Sequence, residues 1–177
     1  QVLRADEETR EPVSAPVQEA LWRRVEEALS ETDAVLVSDY GKGVVTPLLL
    51  DRLLPELARR GIPSAIDPKE EHFLCYRGVH VITPNVSEAS QGWGRRIRTP
   101  ADLLEAGFGL REKLGVHAVL ITRGEEGMSL FTAEGHTEFP TRARKVYDVT
   151  GAGDTVIATI AGALAARAPL PEACVLA

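Results

Sequence analysis

The chain has 177 residues, 44% of them hydrophobic, enough to bury one full core and to form a single domain. Its 26 acidic residues outnumber 20 basic ones and leave a formal net charge of −6, which excludes a broad cationic footprint for nucleic acid or an anionic membrane surface. Cys75 and Cys174 match no metal or redox spacing, no apolar run reaches membrane-spanning length, and the opening residues are not a signal peptide, so a reducing cytoplasm is expected.

Apolar, β-rich runs alternate with helical patterns from end to end, the signature of parallel strands joined by helical crossovers and hence of a layered α/β sheet. Val2 to Ala5 reads as a short strand, followed by a Pro- and Glu-bearing connection and a helix from about Val17 to Ser30. Ala34 to Ser38 is a compact buried strand ending in Asp39-Tyr40-Gly41-Lys42-Gly43, a position where function is usually hung. Thr46 and Pro47 start the next helix and Gly61 stops it, while Pro55 is expected to kink or interrupt it.

A strand near Pro63 to Ile66 leads into Asp67-Pro68-Lys69, and another at Val79 to Thr83 leads into Pro84-Asn85-Val86-Ser87-Glu88. Thr99-Pro100 opens a helix that Gly115 closes, its interior weakened by Gly107 and Gly109 at roughly 1 kcal/mol each relative to Ala. Val116 to Thr122 is the next strand, and Met128 to Thr132 with His136 to Pro140 forms an antiparallel hairpin around Glu134-Gly135. A last helix runs from the following glycine loop to about Arg167, where Pro169 and Pro171 break it, leaving Glu172 to Ala177 too short to complete another unit. There is no initiator methionine, so one domain over residues 1–177, truncated at the N-terminus and at the C-terminus, is expected.

Asp148-Val149-Thr150-Gly151-Ala152-Gly153-Asp154 carries the most chemistry. Its glycines free the backbone to bring bare N–H groups to a ligand, and the helix that follows adds its positive end, an arrangement suited to phosphate oxygens. Asp154 then stands within reach of a phosphate and of an attacking hydroxyl whose proton it can accept. The alternative for Asp154 is an ordinary helix cap. Lys42 and Lys69 lie just past strand ends beside Asp39 and Asp67, placed to neutralise a phosphate as point charges or to stay solvated on the surface.

The glycine run resembles the second signature of the PfkB, or ribokinase-like, carbohydrate kinases. Asn85-Val86-Ser87-Glu88 is similar to the family's N-x-x-E segment, and Thr122-Arg123-Gly124-Glu125-Glu126-Gly127 to its T-x-G-x-x-G nucleotide loop. Ser38 to Gly43, Asp67-Pro68-Lys69 and Val81 to Glu88 look most like the D-glycero-β-D-manno-heptose 7-phosphate kinases of that family, and the likeness runs from about Val2 to Ala166. The resemblance implies a three-layer α/β/α fold with a mostly parallel central sheet, here lacking its N-terminal part. It further implies transfer of the γ-phosphoryl of ATP, with Mg²⁺, to the anomeric hydroxyl of heptose 7-phosphate, giving the 1,7-bisphosphate.

On that likeness Asp154 is the base, and the N–H groups around Gly151, Ala152 and Gly153 hold the transferring charge. Asn85, Val86, Ser87, Glu88, Thr122, Arg123, Gly124 and Gly127 fall on the nucleotide side, with Glu88 organising magnesium through waters. Asp39, Lys42, Asp67 and Lys69 fall on the substrate side. A solvated turn is the alternative for Arg123, a helix cap for Asn85 with Glu88, and a purely conformational role for Gly124 and Gly127. A kinase of the same family for another sugar or a nucleoside, and an inactive nucleotide-binding fragment, are the alternatives for the whole; the expected partners are a sugar phosphate and ATP, and a homodimer is compatible with the sequence.

The remaining landmarks read as structural. His72, His80, His117 and His136 show no metal spacing. Arg142, Arg144 and Lys145 suit a strand edge, with guidance of phosphate as the alternative, Trp22 suits a core, and Trp93 the packing of a loop.

Overall fold

The computed structural model describes residues 7–141 and 151–177. The strand expected over Val2 to Ala5, the basic run at Arg142, Arg144 and Lys145, and Asp148, Val149 and Thr150 of the glycine signature lie outside the described residues.

Four strands stand side by side in chain order and run parallel: β1 (Val35–Ser38), β2 (Ser64–Asp67), β3 (Val81–Ile82) and β4 (Ala118–Thr122). The expected hairpin, β5 (Met128–Phe131) and β6 (His136–Phe139), extends the sheet antiparallel beyond β4. Because strand side chains alternate between faces, the register produces two apolar rows. Val37, Ile66, Ile82, Val119 and Phe131 are successive cross-strand partners on one face, and Leu36, Ala65, Val81 and Ala118 on the other.

Helices α1 (Ala15–Ala28), α2 (Pro47–Arg60), α3 (Val86–Trp93) and α4 (Pro100–Leu114) belong to the first face, where Leu50, Ala89, Leu103 and Leu110 close over the Ile66 row and α1 with α2 form a satellite cluster around Leu53 and Leu57. Helices α5 (Ala152–Ala165) and α6 (Leu170–Leu176) cover the second face, where Ile157, Ile160, Ala173 and Cys174 meet Ala65, Val81, Ala118 and Leu120. The result is the expected α/β/α sandwich. Buried on both faces, β2 to β4 carry almost no polar alternation, as parallel strands under two helical layers require.

Local signals account for most helix boundaries. Thr46 Oγ1 accepts from the Leu49 N–H ahead of α2, and Gly61 ends that helix in the left-handed region at φ 67°. Thr99 and Asp102 complete a capping box on α4.

Four details differ from expectation. Pro55 does not interrupt α2, because it lies on the exposed side, where water can satisfy the carbonyl it leaves unbonded, while Leu50, Leu53 and Leu57 keep the buried stripe continuous. Gly107 and Gly109 are required by packing rather than merely tolerated, since a Cβ at either would collide with the Phe131 or the Trp93 ring. Trp93 therefore closes α3 against α4 instead of filling a loop. The last residues do form a unit: α6 folds back on α5 and buries Leu170, Ala173 and Cys174, whose thiol burial pushes up to about 12.

Candidate active site

The described residues singled out from the sequence end or follow β1, β2, β3 or β4, or head α5. With those four strands parallel, they gather at one end of the sheet, the usual ligand edge of an open α/β fold. Helix α5 packs across β1 and β2 and brings its N-terminus to the same edge.

Gly151 is the N-cap of α5 at φ 78°, in the left-handed region where a side chain would be strained. The first α-helical bond runs from the Thr155 N–H to the Gly151 carbonyl (2.9 Å), which leaves the N–H groups of Ala152, Gly153 and Asp154 ahead of the ladder. At Gly153 φ is ordinary and a Cβ would meet open space, so no neighbouring protein atom demands a glycine there. Asp154 is the third helical residue, and its exposed carboxylate accepts the Tyr40 O–H at 2.9 and 3.0 Å to its two oxygens.

Around this helix end the acidic groups crowd. The Asp67 carboxyl is raised to about 6, first by burial and then by the negative charges of Glu88, Asp154 and Asp39, against which Lys69 pulls down. Lys69 Nζ lies 3.4 Å from Glu88 Oε1. Asn85 and Glu88 form a complete capping box on α3, each side chain accepting the other's backbone N–H at 3.0 Å, so the structural reading of that pair is realised. Glu88 is nevertheless only 8% exposed with its second oxygen turned to Lys69. Val86 packs into the core while Ser87 is exposed on the first turn of α3.

Asp39 faces inward. Only 4% exposed, its carboxylate accepts the Gly41 N–H (2.8 Å) and the Tyr76 O–H (2.5 Å) and lies 2.9 Å from His72 Nδ1. The Tyr76 hydroxyl, driven up in pKa first by burial and then by Asp39, also takes the Lys69 N–H at 3.4 Å. Lys42 points the other way, paired with Glu8 at 2.6 Å.

Thr122 pairs across an isolated bridge with Asn85 and so joins the nucleotide-loop segment to the head of α3. Gly127 is explained by packing, since a Cβ there would strike the Phe139 carbonyl, whereas Gly124 faces open space at φ 60°. The Arg123 guanidinium is committed to its own hairpin, bonding the Glu126 carbonyl (3.2 Å) and Glu138 (3.3 Å). Thus Asp67, Lys69, Glu88 and Asp154 come together, while Lys42 and the Arg123 side chain are engaged elsewhere.

The sequence reading missed Tyr40, His72 and Tyr76. Tyr40 lies within the Asp39 to Gly43 run but carries no charge, and His72 has no partner at a metal-ligand spacing. Among the described residues no three His, Cys, Asp or Glu are placed to cage a metal ion. Glu88 offers hard carboxylate oxygen, the chemistry Mg²⁺ accepts when phosphate and water complete its shell. No described helix is long and apolar enough to cross a membrane.

The fold is shared with solved kinases. Phosphofructokinase-2 from Escherichia coli in complex with potassium superposes with a TM-score of 0.77 at 22% identity, over 88% of this chain and 52% of that one. Arabidopsis thaliana ribokinase complexed with ribose and ATP gives 0.68 at 22% identity, over 93% and 50%. The family model described as pfkB family carbohydrate kinase matches residues 9–177, and the chain belongs to that family. Among sequence relatives, "Bifunctional protein HldE" of Trichlorobacter lovleyi is 44% identical over all of this chain, and that of Proteus mirabilis likewise 44%. The chain spans 36% of the length of each.

Proposed function

We propose that the chain forms the catalytic portion of an ATP-dependent sugar kinase that phosphorylates a sugar already bearing a phosphate, D-glycero-β-D-manno-heptose 7-phosphate being the favoured acceptor and the 1,7-bisphosphate the product. The observation that carries the reading is the head of α5, where an exposed carboxylate and three N–H groups outside the helical ladder share one turn. The acceptor choice rests on the resemblance carried by the residues around Asp39, Asp67 and Asn85, and the family match supports a sugar kinase.

Asp154 takes the proton of the acceptor hydroxyl as its oxygen bonds to the γ-phosphorus and the bond to the β-phosphate oxygen breaks, releasing ADP. The N–H groups of Ala152 and Gly153 meet the charge spread over the transferring phosphoryl, in the position where fixed donors contribute most. Lys69 neutralises phosphate charge beside Asp67. Glu88, Asn85 and the Thr122 to Gly127 loop form the nucleotide side; Glu88 would hold Mg²⁺ through waters, and the ion would supply positive charge against the ATP phosphates.

In the full-length protein, Asp154→Asn is expected to lower the transfer rate by about 10³-fold with ATP binding retained, within the usual range for a removed general base. Turnover at the wild-type rate would remove Asp154 from that role. Comparing heptose 7-phosphate with fructose phosphates, ribose and adenosine as acceptors tests the substrate, and preference for any of the others would reassign it.

A further inference from the structure

We infer that Tyr40 is a positioning residue for Asp154, itself aimed by the buried Asp39, His72 and Tyr76. The inference rests on the reading of Asp154 as the base. It starts from a carboxylate in an unusual place: Asp39 is 4% exposed and is nonetheless surrounded by polar partners, Gly41 N–H, Tyr76 O–H and His72 Nδ1. A carboxylate taken from water costs free energy even when well bonded, so stability alone is a poor explanation for it.

The partners are instead informative about what is fixed. The Asp39 N–H bonds the Asp67 carbonyl (3.1 Å), and its side chain accepts the N–H of Gly41, two residues on, where φ is 64°. Both neighbours of Tyr40 are therefore pinned. Tyr40 itself is 58% exposed, yet its ring projects from this turn to α5, and its O–H meets both oxygens of Asp154 at 2.9 and 3.0 Å. Tyr76 adds a second arm by accepting the Lys69 N–H, so one buried carboxylate organises the turns after β1 and after β2.

Water competes for both groups of an exposed pair, so this bond contributes little to folding. Its consequence is geometric. A carboxylate offers about four acceptor positions, so one phenol proton holds the side chain in a single orientation and leaves room for a substrate hydroxyl on the same oxygens. For in-line transfer that orientation matters, because a misplaced base loses rate without loss of binding.

The test uses the full-length protein with ATP and the accepted sugar. Tyr40→Phe keeps the ring and removes the O–H; kcat is expected to fall about tenfold while the KM for ATP changes less than about twofold and the melting temperature is unmoved. Tyr76→Phe loosens the buried anchor and is expected to cost about three- to fivefold in kcat, and the double variant to fall no further than Tyr40→Phe, as for residues acting in series. His72→Gln replaces Tyr76→Phe if the latter unfolds. Wild-type kcat in Tyr40→Phe would overturn the inference, as would multiplicative losses in the double variant. If Asp154→Asn is also fully active, it is the base assignment that has failed; if Asp154→Asn is inactive and Tyr40→Phe is not, only the positioning role has.

Discussion

Asp67 closes β2 with its carboxyl partly buried among Glu88, Asp154 and Asp39, and Lys69 opposes that charge. Its folded pKa of about 6 lies above the ordinary 3.8, so the protonated form is the one the fold favours. The stability tied to that proton is complete below about pH 4 and is lost as pH rises through 6. In metal-free buffer, Asp67→Asn is expected to be the more stable protein at pH 7.5, by roughly 1–2 kcal/mol relative to the comparison at pH 5. Urea titrations at the two pH values measure this, and parallel curves for variant and wild type would show that Asp67 ionises freely. A carboxyl whose ionisation the fold opposes even beside Lys69 is one that a further bound cation would return to its charged form.

At the scale of elements, the head of α5 separates a folding requirement from a functional one. Gly153 has an ordinary φ and open space where a Cβ would stand, so Gly153→Ala is expected to raise stability by about 0.5 kcal/mol through helix propensity. In the proposed role of this turn the same methyl group would crowd a phosphoryl oxygen approaching the N–H, and transfer is expected to fall at least tenfold, towards the roughly hundredfold loss typical of removing one such donor. A stabilised variant with full activity would mean that the ligand does not approach that face. This contrast was half visible in the sequence, because the glycine run, the caps at Thr46 and Thr99 and the strand-then-polar rhythm are local signals. The Asp39 anchor was not visible, since His72 lies 33 and Tyr76 37 residues away and neither separation has a local signature. Likewise Pro55 was read by propensity alone, although which side of α2 meets water decides its effect.

The whole molecule is one sheet shared by two cores, and that sharing governs how damage spreads. Leu110 of α4 lies in the core over one face and Ile160 of α5 in the core over the other, both fully buried. Between them stand the same four residues of β4, with Val119 and Ile121 facing α4 and Ala118 and Leu120 facing α5. Neither helical layer can leave without exposing strands that the other layer needs, so the two cores are expected to melt together. Leu110→Ala and Ile160→Ala should each cost about 2–5 kcal/mol, the usual range for such cavities. The decisive measurement is the fluorescence of Trp93, which packs with the Leu110 core, read in a Trp22→Phe background: Ile160→Ala, on the opposite face, should lower its urea midpoint in step with the far-UV circular dichroism. A Trp93 midpoint unmoved by Ile160→Ala would mean that the α5 layer detaches on its own. In that event α5, with Asp154 at its head, would be a separately mobile cover, parted from Tyr40, on a sheet that stays folded without it.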